Sequence, residues 1–208
     1  MILDLLFPSH CYVCGKNGRY FCPSCYRRIE TQPLIPTSSL ALQERLSLFK
    51  YDGPIRQCLN DLKYKFVTDL CQNLTSLICR KINNDFPHLL SYWRQNHFCF
   101  TSVPLHLRRR NFRGFNQSAL LAQSIAIKLN LDYSPSLILR SRFTPPQVSL
   151  SKTKRLQNTK KAFQINPFLS LPPNIILFDD VFTTGATIRS AISVFPKNHH
   201  LWIFTIAG

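Results

Sequence analysis

The run FDDVFTTGAT at positions 178–187 gathers residue types that together can hold a phosphorylated sugar. The apolar stretch 175–178 in front of it reads as a strand buried on both faces. Two acids, Asp179 and Asp180, end that strand. Thr183, Thr184 and Thr187 then supply hydroxyls. Gly185 offers backbone without a Cβ, which lets a ligand come close. A helix is expected over 187–195, stopped by Pro196. In open α/β sheets, ligands bind outside the carboxyl ends of strands. The amides at a helix start present free N–H groups and a positive dipole end to a phosphate. Acids aimed at a phosphate would repel it. Aimed at sugar hydroxyls, they accept hydrogen bonds. No G-x-x-x-x-G-K-[ST] and no G-x-G-x-x-G spacing occurs among the six glycines. Ser-His-Asp and H-E-x-x-H arrangements are absent as well.

A second constellation is Cys11, Cys14, Cys22 and Cys25, spaced C-x2-C-x7-C-x2-C. Each two-residue spacer lets a tight turn aim two sulfurs at one point, and two such knuckles make a closed tetrahedral thiolate cage for structural zinc. Gly15 follows the first pair, where knuckle backbone often needs a positive φ. Disulfides and a redox dithiol are the rivals, and a redox motif would need only one C-x-x-C. The stretch 1–7 has no basic n-region and runs straight into the cysteines, so it does not read as a secretory signal. Cys58, Cys71, Cys79 and Cys99 are scattered on apolar faces and read as buried, inert thiols.

The third feature is charge. Lys and Arg number 26 against 10 acids, a formal charge of +16 over 208 residues. Between 108 and 161 the basic residues are Arg108, Arg109, Arg110, Arg113, Lys128, Arg140, Arg142, Lys152, Lys154, Arg155, Lys160 and Lys161, and the only acid is Asp132. Such a field attracts polyanions. Phe112 and Phe115 interleave with four arginines in RRRNFRGF, and Arg142-Phe143 and Lys161-Ala162-Phe163 repeat the juxtaposition. Cations beside aromatic faces suit single-stranded nucleic acid, whose bases stack on the rings. The competing placement puts these rings in the core with the arginines as a solvated rim.

These features need a scaffold. At 45% hydrophobic and 17% charged, the chain can bury a sizeable core. No apolar run approaches the ~18 residues of a membrane span. Residues 1–30 form the cysteine module, 31–39 (TQPLIPTSS) a linker, and 40–208 the main domain. Strands are expected at 46–51, 98–103, 136–139, 175–178 and 201–207. A helix starts at Pro54, with Ile55, Cys58, Leu59 and Leu62 inward, and another apolar face runs from Val67 to Ile78. A helix capped by Asn116 should bury Leu120, Leu121, Ile125 and Leu129. Residues 141–162 lack a core stripe and read as a functional loop or lid. The alternation gives an α/β domain with a mostly parallel sheet.

FDDVFTTGAT resembles the PRPP-binding motif of type I phosphoribosyltransferases. By that resemblance Asp179 and Asp180 hold the ribose hydroxyls, and Thr183, Thr184, Gly185, Ala186 and Thr187 wrap the 5′-phosphate. Mg²⁺ bridges ribose and pyrophosphate oxygens. The block VPLHLRRRNFRGFNQSALLA (103–122) is similar to one in the ComF/ComFC competence proteins. The four-cysteine module, the segment TPPQVSLSKTKRLQNTKKAF (144–163) and the C-terminal motif follow in the same order. The resemblance implies a type I phosphoribosyltransferase-like sheet flanked by helices behind a small zinc module. It implies a cytoplasmic protein that handles incoming single-stranded DNA in natural transformation, with Mg²⁺ and PRPP as ligands. Arg113 is the candidate on the pyrophosphate side, and Lys154, Arg155 and Lys161 are closing charges on a mobile loop at 143–161. Arg108, Arg109, Arg110, Phe112, Arg113, Phe115, Arg142, Lys152, Lys154, Arg155, Lys160 and Lys161 are the candidate DNA contacts.

Two alternatives stay open: a working phosphoribosyltransferase with an unknown nitrogen acceptor, and a non-catalytic nucleotide-sensing adaptor. The stretch MILDLLF can pack on the zinc module or lie on an anionic membrane surface. The second placement would put the protein beside other DNA-uptake machinery at the inner face of the cytoplasmic membrane.

Overall fold

The computed structural model describes residues 9–34, 44–64, 68–104, 117–140 and 162–208. Among them are strands β1 (Arg45–Phe49), β2 (Cys99–Ser102), β3 (Asp132–Tyr133), β4 (Ile138–Arg140), β5 (Phe163–Ile165), β6 (Asn174–Val181) and β7 (His200–Ala207). The helices are α1 (Pro23–Arg28), α2 (Gly53–Tyr64), α3 (Thr68–Asp85), α4 (Pro87–Gln95), α5 (Gln117–Leu129) and α6 (Ala186–Ile192). Five strands make one sheet in the order β1–β7–β6–β2–β3. Every pairing in it is parallel. This is the expected mostly parallel α/β sheet. Its central strands are apolar on both faces because helices or a ribbon cover each side.

The pleat sends alternate residues to the two layers. Ile176, Phe178, Phe100, Trp202 and Phe204 join the core beneath α2–α5. Ile175, Leu177, Leu201, Ile203 and Cys99 face a second core shared with α6 and the β4–β5 ribbon. Much of the phenylalanine is used in the first layer: the rings of Phe100, Phe178 and Phe204 lie 5.5–5.9 Å apart. Trp93 of α4 meets Trp202 edge-on at 5.6 Å. Helix α3 buries Leu70, Leu74, Leu77, Ile78 and Ile82, a helical repeat that extends past the expected face.

Several local expectations change. Leu120 is 43% exposed, whereas Leu121, Ile125 and Leu129 are fully buried, so the core stripe of α5 is narrower than its sequence suggests. Phe163 is buried and covered by the Arg140 guanidinium 5.1 Å from its ring centre, so it is core and not a stacking surface. Helix α6 ends at Ile192, although Phe195 still packs inward. Helix α4 and the short strands β3 and β5 carry no sequence expectation. The scattered thiols behave as small hydrophobes: Cys58, Cys79 and Cys99 are buried, and Cys71 is half-buried. Burial raises the pKa of Cys79 and of Cys99 to about 11. No described helix is long and apolar enough to cross a membrane.

The cysteine module docks onto the main domain. Tyr12, Tyr20, Phe21 and Tyr26 pack against the larger core. Tyr12 donates its hydroxyl to Asp61 of α2 at 3.0 Å, and Thr31 donates to Asp85 of α3 at 2.9 Å. The Gln32 amide donates to the Leu48 carbonyl at 2.8 Å, which covers part of the edge strand β1.

Candidate functional site

Parallel strands put all their carboxyl ends on one side, and β6 lies in the middle of the sheet. Asp179 pairs in register with Thr205 of β7. Asp180, one residue on, points to the other face. There Lys63 of α2 places its Nζ 2.5 Å from Asp180 Oδ2. Asp179 Oδ1 accepts the Asp180 N–H at 2.9 Å. Both acids are half-buried. Their environments pull them apart. Burial and the neighbouring Asp180 charge push Asp179 well above the usual carboxylate range. Burial acts the same way on Asp180, but the Lys63 ammonium outweighs it and holds Asp180 low. Lys63 is the functional residue that sequence reasoning missed. A single lysine at the end of an amphipathic helix carries no pattern, and its partner is more than a hundred residues away.

After β6 the chain turns sharply. The Phe182 amide donates to the Ala207 carbonyl at 2.8 Å. Thr183 and Thr184 are exposed. Among the described residues nothing accepts from the amides of Thr183, Thr184 and Gly185, so the turn presents three free donors. Gly185 sits at φ +70, and a Cβ there would lie 2.6 Å from the Phe182 ring. Glycine is therefore required by the turn's own geometry, a different reason from the expected ligand approach. Arg189 ties the loop to α6 by donating from Nη2 to the Thr184 carbonyl at 2.6 Å. Ala186 and Thr187 form the first turn of α6 and are half-buried.

Strand β2 and the β4–β5 ribbon pack beside the strand and the helix that flank this turn. Strand β2 is the hydrogen-bonded neighbour of β6, and the Val103 amide donates to the Phe178 carbonyl at 2.8 Å. Val103, which precedes the arginine block in the sequence, thus lies beside the strand that carries Asp179. Strands β4 and β5 pair antiparallel, with Arg140 opposite Phe163. This ribbon shares a core with Ile188 and Ala191 of α6. Arg108, Arg109, Arg110, Phe112, Arg113, Phe115, Arg142, Lys152, Lys154, Arg155, Lys160 and Lys161 lie outside the described residues, as does the MILDLLF stretch.

The four module cysteines converge. Their Sγ atoms all lie within 4.8 Å of one another, and Cys14 and Cys22 are 3.8 Å apart. A tetrahedral ion with bonds of about 2.3 Å requires sulfurs about 3.8 Å apart, so the set fits zinc. Gly15 has φ +73, and its amide donates to the Cys11 carbonyl at 2.8 Å, closing the first knuckle. Pro23 opens α1 directly after Cys22. Burial opposes ionisation of Cys11, yet the Cys22, Cys14 and Val13 backbones bring its pKa down to about 6. Cys25 is pushed up to about 12 by burial and by the neighbouring thiols. A bound cation would remove that inequality by ionising all four.

The architecture is a parallel α/β sheet with a strand–acid–threonine turn at its carboxyl edge and a four-thiol module docked beside it. No family model matches the chain. Several curated proteins do. The DNA utilization protein YhgH of Salmonella typhimurium is 29% identical, the match covering 91% of this chain and 79% of that protein. Competence protein ComFC of Bacillus subtilis is 26% identical over 91% of this chain and 79% of its own length. Competence protein F of Haemophilus influenzae is 25% identical over 92% and 80%. Over about nine-tenths of its length the chain is thus similar to proteins named for DNA utilisation and competence, ComFC among them.

Proposed function

We propose that this protein serves DNA utilisation in natural competence, handling incoming single-stranded DNA in the cytoplasm, with a pocket of the phosphoribosyltransferase kind that binds PRPP and Mg²⁺. The observation that carries the pocket is the turn after β6. Its three free amides and exposed threonine hydroxyls stand at one end, and two carboxyl groups stand at the other. The backbone amides of Thr183, Thr184, Gly185, Ala186 and Thr187 and the hydroxyls of the three threonines take the 5′-phosphate. Asp180, kept ionised by Lys63, accepts from one ribose hydroxyl. Asp179 accepts from the other once it gives up its proton. Mg²⁺ would supply charge neutralisation for the pyrophosphate, and Arg113 is the candidate cation on that side. The DNA track consists of the same arginine block and the basic 141–161 segment, with Phe112 and Phe115 as stacking faces. Other DNA-uptake machinery at the inner face of the cytoplasmic membrane is the partner this role implies.

Calorimetry with PRPP and Mg²⁺ tests the pocket. Binding that disappears in Asp179→Asn and weakens in Thr184→Ala supports it, and undiminished affinity in Asp179→Asn removes the acid pair from the site. Fluorescence anisotropy with a labelled oligonucleotide tests the track. A log–log salt slope near −0.7 per neutralised phosphate is expected, reduced in an Arg109/Arg110/Arg113→Ala variant. A flat slope rejects the track. Pyrophosphate release from PRPP in the presence of nitrogen acceptors would identify turnover.

A further inference from the structure

Helix α2 touches both chemical regions of the molecule. Tyr12, next to the thiol ligand Cys11, donates to Asp61 Oδ2 at 3.0 Å. Two residues along the same helix, Lys63 reaches Asp180 Oδ2 at 2.5 Å. The module sets where the Tyr12 hydroxyl lies. The Tyr12 ring stacks on Tyr20 at 5.9 Å and leans on Phe21 at 5.8 Å, and its amide donates to the Tyr20 carbonyl at 3.0 Å. Both contacts are partly shielded from water. Tyr12 and Asp61 are half-buried, and the Lys63 and Asp180 side chains are 19% and 21% exposed. Along a helix axis two residues are separated by only about 3 Å, and a hydrogen-bonded turn does not stretch. A shift imposed at Asp61 therefore arrives at Lys63 almost whole.

We propose that α2 couples the four-cysteine module to the acid pair: Tyr12 fixes Asp61, and the helix so fixed sets where Lys63 holds Asp180. Lys63 is then a positioning residue. Among the described residues it is the cation that meets Asp180 from the packed helices, and Asp179 is the acid that meets it from its own strand. Deformation of the module, by loss of its metal or by a partner, changes the geometry and charge that the acid pair presents. The consequence for ligand affinity rests on the reading of the pair as a ribose site, whereas the coupling does not.

The test uses Tyr12→Phe and Lys63→Gln, singly and together. Thr31→Val serves as control, because Thr31 ties the module to α3 through Asp85 instead of to α2. Zinc content and thermal unfolding verify each variant. Carboxyl-detected NMR titration of the ligand-free protein reads the coupling. Lys63→Gln is expected to raise the Asp180 titration, and Tyr12→Phe to raise it by a smaller amount. The double variant should match Lys63→Gln alone, and Thr31→Val should leave the titration in place. Calorimetry with PRPP and Mg²⁺ reads the consequence. About tenfold weaker binding is expected for Lys63→Gln, restored by Lys63→Arg, and about threefold for Tyr12→Phe, the size of one hydrogen bond. Unmoved carboxyls in Tyr12→Phe, or effects that simply add in the double variant, overturn the coupling. If Lys63→Gln does not fold, the Tyr12→Phe titration decides alone. Coupled carboxyls in a protein that does not bind PRPP reject the ribose reading and leave the coupling standing.

Discussion

The four-thiol knuckle and the carboxyl edge of the sheet are built on opposite plans. The knuckle draws all its ligands from fifteen consecutive residues, 11–25, and its donors turn toward one another. The edge draws Lys63 from α2, and the acids and the threonine turn from β6 and its loop, with β2 as a neighbour. Its Thr183 and Thr184 are exposed. A closed set serves stability once a metal fills it. An open set leaves groups unsatisfied, and the fold must tolerate that cost until a ligand arrives.

The largest difference between the two should appear on deleting one member of each. Cys25 is buried among its three partners, and the module sets Tyr12, Tyr20, Phe21 and Tyr26 against the main core. Cys25→Ser should lose the metal and lower stability by about 5 kcal/mol, less than the about 10–16 kcal/mol that structural zinc contributes in small peptides. Mass spectrometry of the native protein reads the metal, and urea unfolding reads the stability. A Cys25→Ser protein with full zinc and an unchanged midpoint would show that the knuckle is not closed in the sense described.

At the edge, the two acids should answer with opposite signs. Asp180 is held low, so its stabilising contribution is present above its unfolded pKa and is lost as pH falls through the folded value. Asp180→Asn should destabilise at neutral pH by about 1–3 kcal/mol, less than a fully buried pair because both side chains keep some water. Asp179 is raised, so the fold favours its protonated form. That advantage is complete below the unfolded pKa and disappears as pH rises through the folded one. Asp179→Asn keeps an oxygen to accept the Asp180 amide, removes the unfavourable charge, and should stabilise by about 1 kcal/mol while abolishing PRPP binding. Thermal unfolding between pH 4 and 8 checks both, and matching signs for the two variants would reject the division of roles.

Binding should carry the same imprint. If Asp179 must ionise to accept a ribose hydroxyl, PRPP affinity falls as pH drops through its raised pKa, by up to tenfold per pH unit. Proton release on binding is then expected, visible as buffer-dependent enthalpies in calorimetry. Affinity independent of pH in this range would mean that Asp179 stays protonated in the complex and donates instead.

The same contrast explains what was legible in the sequence. The knuckle, the β6 run and the acid–threonine turn are local: spacing and the apolar run 175–178 suffice to find them, because each is finished within one stretch of chain. The parallel sheet follows from alternation. What could not be read is what depends on distant pairing. Lys63 meets Asp180, Tyr12 meets Asp61, and Phe163 turns inward because β5 pairs with β4 beneath α6. Leu120 fails for a related reason. It lies beside Leu121 on α5, and only the position of β2 and α3 decides which of the two is covered.

Gly185 gives the finest test of the open edge, since it separates the turn's shape from its chemistry. At φ +70 an added Cβ costs about 1 kcal/mol of backbone strain, and it would also press on the Phe182 ring at 2.6 Å. Phe182 is itself capped by the Arg45 guanidinium 4.1 Å from its ring centre, so it has little room to yield on that side. Gly185→Ala should therefore lower stability by about 1–2 kcal/mol, the upper part coming from the displaced ring. It should also displace the neighbouring Thr183 and Thr184 amides, so PRPP affinity falls while the acids keep their titration. Combining it with Phe182→Leu, which removes the clash but keeps an apolar side chain, should recover most of the stability above the strain. Affinity that returns with stability would assign the phosphate contact to the turn's backbone. Affinity that returns in neither variant would assign it to the left-handed conformation that glycine alone adopts without cost.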